Sequence, residues 1–219
     1  MKVRPFIILL FTLAVSTAKS QIVVTTPYEF SAGVSGGTTF SSVTFNPKVQ
    51  QATLMGATVG FTGRMTMGNN VGIQAELNYS QQGWEEFYEN YPEYKYSRRL
   101  NYIQLPFYTH IQFGGKNVKG FINAGPQIGY MIGESTKDNL SGEKPGRINE
   151  QHDMPVEKKF EWGISGGIGI EIRTGIGYFL LEGRYLYSLG DIYKTESIHY
   201  FAKASGQTIT TKLSYLIPF

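Results

Sequence analysis

Between Val71 and Ser80 the chain alternates without a break. Val71, Ile73, Ala75, Leu77 and Tyr79 are apolar or aromatic, and Gly72, Gln74, Glu76, Asn78 and Ser80 stand between them. Successive side chains of a strand point to opposite faces, so a period of two makes one face oily and the other polar. The pattern returns with Ile103, Leu105, Phe107, Ile111 and Phe113 against Tyr102, Gln104, Pro106, His110 and Gln112, Thr109 being the interruption. It returns with Phe160, Trp162, Ile164, Ile168, Ile170 and Ile172 against Glu161, Gly163, Ser165, Gly167, Gly169 and Glu171. Phe179, Leu181, Tyr185, Tyr187 and Leu189 stand against Leu180, Glu182, Arg184 and Ser188, and Ile209, Thr211, Leu213, Tyr215, Ile217 and Phe219 against Thr208, Thr210, Lys212 and Ser214. Residues 30–38, 54–63 and 121–133 are rich in glycine, fit less cleanly, and complete a set of eight strands.

The links between strands alternate in length. Residues 64–70, 114–117 and 173–175 are short and built from turn formers, whereas 41–51, 84–97, 134–157 and 190–206 are long. An antiparallel barrel crossing an outer membrane has this asymmetry, with short periplasmic turns and long extracellular loops. Strands of about 10 residues cross a bilayer when tilted, and a closed ring leaves no backbone donor or acceptor facing lipid. The reading is therefore all-β: an eight-stranded antiparallel transmembrane up-and-down barrel with its apolar face outward. In that register Glu76, Glu171, Glu182, Arg184 and Lys212 fall inside, sparing the roughly 2–4 kcal/mol cost of a basic side chain at the lipid midplane. Outward Tyr79, Tyr130, Trp162, Tyr185 and Tyr187 near the long loops, and Phe113, Tyr215 and Phe219 at the other end, form two aromatic girdles.

Residues 1–20 read as a secretory signal peptide: Lys2 and Arg4, an apolar run over 6–15, then small Ala18 and Ser20. Residues 21–219 are then the barrel domain, exported to the cell outer membrane. Cleavage removes Lys2, Arg4 and Lys19 and no acid, which leaves 17 of the 20 bases against 17 acids and argues against nucleic acid as a partner. Cysteine is absent, which excludes disulfides, thiolate metal sites and cysteine nucleophiles.

The glutamine that follows the leader, the first strand from Phe30 to Gly37, the central Leu100-Asn101-Tyr102-Ile103-Gln104-Leu105-Pro106 and the following Asn123-Ala124-Gly125-Pro126-Gln127-Ile128-Gly129 resemble the PorT-type outer membrane beta-barrel domain family. The resemblance covers the whole mature chain. The terminal Phe219 is similar to the signal that barrel-insertion machinery recognises. The resemblance implies fold and location first. It also implies outer-membrane lipid, that machinery and secretion-system proteins as partners, because some relatives support a dedicated protein-secretion system.

Inside the barrel, Glu76, Glu182, Arg184 and Lys212 form a polar cluster with two acids and two bases. It reads either as a neutral hydrogen-bonded plug or as a proton-linked or small-ligand site. An eight-stranded barrel is filled by its own side chains, so no conducting pore is expected. No catalytic set is assigned. His110 lies on the interior face, His152 and His199 lie in long loops, and no Gly-x-Ser-x-Gly elbow surrounds a serine. No metal or cofactor is expected either, since Glu85, Glu86, Glu89 and Glu93 lack the spacing of a calcium loop. The second long loop, with Trp84, Phe87, Tyr88, Tyr91, Tyr94 and Arg98, has the mixture common at binding surfaces, or is a hairpin stem whose rings grip one another. Three functions remain: a non-enzymatic barrel with a structural or binding role, including an accessory in secretion; a lipid-modifying enzyme on the same fold; and a lipocalin-like carrier with the apolar face turned inward.

Overall fold

The computed structural model describes residues 28–46, 48–68, 70–88, 94–139, 152, 155–193 and 203–219. The leader expected over residues 1–20 lies outside the described residues, as do Glu89, Tyr91, Glu93 and His199.

The described residues form strands β1 (Tyr28–Asn46), β2 (Gln51–Ala52), β3 (Leu54–Met67), β4 (Val71–Phe87), β5 (Lys95–Gly114), β6 (Val118–Asp138), β7 (Phe160–Thr174), β8 (Gly177–Asp191) and β9 (Lys203–Pro218). The two residues of β2 pair with β4 beyond the end of β3, so β2 and β3 act as one interrupted wall strand and the wall has eight staves. Each stave is antiparallel to its chain neighbour, and β1 closes the ring against β9 with Val34 opposite Tyr215 and Gly37 opposite Lys212. The alternation over residues 71–80 meets its partners in step: Leu77 faces Phe61 on β3, and Ala75 faces Phe107 on β5.

Glycine in β1 has a steric cause. A Cβ on Gly37 would strike the backbone of Thr211 on β9, so the seam that shuts the barrel needs a bare backbone there. At the short-turn end, Gly68 takes a φ of 63°, the left-handed conformation that a tight β3–β4 link requires.

The outward face is hydrocarbon. Ile168 is 69% exposed and Leu213 60%, and they belong to a belt of exposed Val, Ile, Leu and Phe around the ring. A continuous apolar belt of that size is sustained only where the surrounding solvent is itself apolar. Midway along the barrel the inward face is polar: Glu76, Glu171, Glu182, Arg184 and Lys212 are all buried. The lipocalin-like alternative needs the opposite register and is overturned by this burial.

The staves run further than the alternation alone indicates. β1 continues to Asn46, β5 begins at Lys95, and β6 extends to Asp138, so parts of three expected loops are strand. The reason is a change of solvent. Within the bilayer the oily residues face out, but beyond it the wall meets water and they turn in. Val43, Phe45, Trp84, Tyr96 and Leu100 are buried inside, on the strand parity that carries polar residues lower down. A phase inversion of this kind reads in the sequence as the end of a strand.

Candidate functional site

The lumen is filled in three tiers. Midway along it, Glu76 on β4 faces the long side chains of β8 and β9. Arg184 grips its carboxylate with two parallel bonds, Nη1 to Oε2 and Nη2 to Oε1, both at 2.9 Å. Lys212 Nζ donates to Oε2 at 2.6 Å, Gln74 Nε2 to Oε1 at 2.7 Å and Asn78 Nδ2 to Oε2 at 2.9 Å. Arg184 also donates to Glu182, Nη2 to Oε2 at 2.8 Å, and its guanidinium lies 4.5 Å above the ring of Tyr108. All four residues of the expected lumen cluster are thus brought together, with Glu76 at the hub. Bidentate, charge-assisted bonds of this kind are the strong class.

A second network continues toward the short turns. Asn123 Nδ2 donates to Glu182 Oε1 at 2.9 Å, which leaves its Oδ1 to accept from His110 Nδ1 at 2.8 Å. His110 Nε2 then accepts from Arg64 Nη1 at 3.3 Å. Both ring nitrogens are committed, so His110 has no free lone pair with which to act as a base. Arg64 also donates to Glu171 at 2.5 Å, and Arg173 Nε donates to the other oxygen of Glu171 at 2.6 Å. Arg64 lay in an expected turn. Extending the inward series Gly60, Thr62, Arg64, Thr66 would have placed it inside, where Thr62, Arg64 and Thr66 are buried.

The third tier closes the long-loop mouth with apolar side chains: Val43, Phe45, Trp84, Tyr96, Leu100, Tyr102, Met131, Val156, Ile192, Tyr193 and Ala204 pack into one cluster. Trp84 meets Phe45 edge-on at a centroid distance of 5.4 Å and donates Nε1 to Glu86 Oε1 at 2.8 Å. Glu86 also takes bonds from Tyr88 Oη at 3.3 Å and His152 Nε2 at 2.8 Å, and His152 stacks on Tyr96 at 3.6 Å. Burial pushes the phenols of Tyr96 and Tyr193 up, and burial followed by the Glu86 carboxylate does the same to Tyr88, so all three stay neutral.

The expected loop surface is therefore split. Trp84 and Arg98 are buried strand residues inside the mouth, with Arg98 donating Nη2 to Glu134 at 2.7 Å, and they offer no surface. Their positions put them on the inner parity, and the inner face is apolar at this height. Phe87 is exposed, Tyr88 and Tyr94 are half-buried, and Tyr91 lies outside the described residues. Between the apolar plug and the charged hub lies a cavity of about 20 Å³ lined by Thr58, Asn78, Gln82, Gln104, Gln127 and Lys212, among others. That is room for one or two water molecules.

No curated protein matches the chain. Among solved structures it is similar to Neisserial surface protein A (11% identity, TM-score 0.46, covering 87% of this chain and 97% of that one). It is similar also to the outer membrane protein OprG of Pseudomonas aeruginosa (10%, 0.49, 87% and 95%), and to Ail, the attachment invasion locus protein of Yersinia pestis (11%, 0.41, 85% and 98%). The family model of the outer membrane protein beta-barrel domain matches residues 19–194. The chain belongs to that family, and its place is the outer membrane.

Proposed function

We infer that this barrel is non-enzymatic and works through what its two ends bind, the long loops outside and the short-turn rim toward the periplasm, as an accessory to protein secretion of the PorT type. The observation that carries the reading is the filled lumen. Among the described residues a charged hub, a second ionic network and an apolar plug fill the lumen, and the cavity between hub and plug is of water size, which supports a barrel that moves no solute. A protein whose interior is occupied by its own side chains has its ends left for function. The two ends differ in kind, with long loops at one and the Glu29–Arg173 pair beside tight turns at the other, which suits a component held between partners on both sides.

Two measurements on the full chain test this. Vesicles carrying it should show no sugar-dependent swelling, and mild-detergent extraction of native membranes should bring down a stoichiometric protein partner. Passage of small sugars would overturn the closed-lumen reading. A barrel that comes down alone would overturn the accessory role.

A further inference from the structure

Toward the long loops, the outward face of β4, β5 and β6 changes in ordered steps. Tyr79, Ile103 and Tyr130 are cross-strand neighbours and still belong to the oily wall. Two residues further, Gln81 pairs with Asn101, and the amides join the phenol: Tyr79 Oη donates to Asn101 Oδ1 at 3.1 Å, and Gln81 Nε2 to Tyr79 Oη at 3.3 Å. Next comes Arg99 between Gly83 and Ser135, then Ser97 between Glu85 and Lys137, then Lys95 opposite Phe87. Apolar, amphipathic, amide and cationic rows thus follow one another from the hydrocarbon outward.

This register surrounds Ser97 with three bases. Lys95 and Arg99 flank it along β5 and Lys137 stands opposite on β6, with Glu85 as the one acid, opposite on β4. Among the described residues no ion pair engages Lys95, Arg99, Lys137 or Glu85. Arg99 is held in place, since Nη2 donates to the Met55 carbonyl at 3.2 Å, across the position where Gly83 has no side chain. A strand rises about 3.3 Å per residue and tilts by about 40°, so Arg99 sits about 10 Å above Ile103. Aromatic belts mark the headgroup level. By the same rise Lys137 sits about 15 Å and Lys95 about 20 Å above Ile103, so the cations start at the outer edge of the headgroup layer and their long side chains reach back toward its phosphates.

We propose that Lys95, Arg99 and Lys137 clasp the phosphate groups of a glycolipid in the leaflet at the long-loop end. The inference rests on the orientation given above. Charge complementarity selects an anion, and the outward aspect at the bilayer boundary selects a lipid. Three cations set around one serine suit two phosphates on a rigid sugar better than a single phosphodiester.

The test uses the full chain in nanodiscs of phosphatidylcholine with a small fraction of diphosphorylated lipid A, with the lipids retained counted by native mass spectrometry. The wild type retains lipid A in preference to phosphatidylcholine. Each charge removed lowers that preference about fivefold, so K95Q/K137Q loses about 25-fold. K116Q, in the β5–β6 turn at the opposite end, leaves it unchanged. Because R99Q also frees the Met55 carbonyl, the lysine pair carries the decision. Equal retention by K95Q/K137Q and wild type, equal retention of dephosphorylated lipid A, or displacement of lipid A by equimolar inorganic phosphate would each overturn the assignment. None of these outcomes bears on swelling or partner capture, so this inference can fail while the closed lumen and the accessory role stand.

Discussion

Glu76→Gln lowers the stability of the barrel by about 3–5 kcal/mol, the cost of breaking a buried ion pair from one side. Glu76 accepts from Arg184 twice and from Lys212, Gln74 and Asn78 once each, and its side chain is wholly enclosed. The two bases fare differently when it goes. Arg184 keeps Glu182, whereas the ion pair of Lys212 is with Glu76. Most of the penalty therefore falls on a stranded ammonium. Adding Lys212→Met to Glu76→Gln recovers more than half of the loss, because the charge left without a partner is then gone. Urea unfolding in lipid vesicles, followed by tryptophan fluorescence, reads both numbers. A loss below about 1 kcal/mol for Glu76→Gln, or no recovery in the double variant, would mean the hub does not hold the lumen together.

Trp84→Ala costs a similar amount, about 3–5 kcal/mol, through a different mechanism. Trp84 is fully buried in the mouth, its ring lies edge-on to Phe45 and under the Arg98 guanidinium at 5.8 Å, and its indole nitrogen serves Glu86. Alanine opens a cavity and takes a donor from a buried carboxylate at once. The neighbour Phe87 points outward and is exposed, so Phe87→Ala costs less than about 1 kcal/mol. Loss of the compact, heat-modifiable band on heating in detergent ranks the two. A ranking with Phe87 above Trp84 would place the tryptophan on a surface after all.

The same comparison shows what the chain's order of residues discloses. The stretch Val71–Ser80 was legible because one solvent, hydrocarbon, lies outside it, so the parity of oily residues does not change there. Charges at 76, 171, 182, 184 and 212 followed from the same parity. Phe45, Trp84 and Leu100 did not, because above the bilayer the wall faces water and apolar residues move to the inner parity. Within a local window, alternation breaks at the place where it inverts. Arg64 was missed for a related reason. Glycines 60 and 63 weaken the pattern just before it, and its partners Glu171 and His110 are 107 and 46 residues away. Pairings at that distance are set by ring closure and shear, which no local window contains.

The cation row around Ser97 shows the opposite limit. Lys95 and Arg99 stand in plain sight beside Arg98, and charge alone makes them look alike. Parity separates them: Arg98 turns in to Glu134, while Arg99 turns out over Gly83. Sense could be made of these neighbours only once the register of β4, β5 and β6 was known.

The most direct test of the whole account is spin labelling at Ile73, Ile168 and Leu213, with Thr210 as an inward control, followed by power saturation in vesicles. The three outward labels should relax strongly with oxygen and weakly with a water-soluble nickel chelate, as in acyl chains, and Thr210 should meet neither freely. Strong relaxation by the chelate at Ile73, Ile168 and Leu213 would contradict a barrel whose isoleucine-rich wall is bathed in lipid.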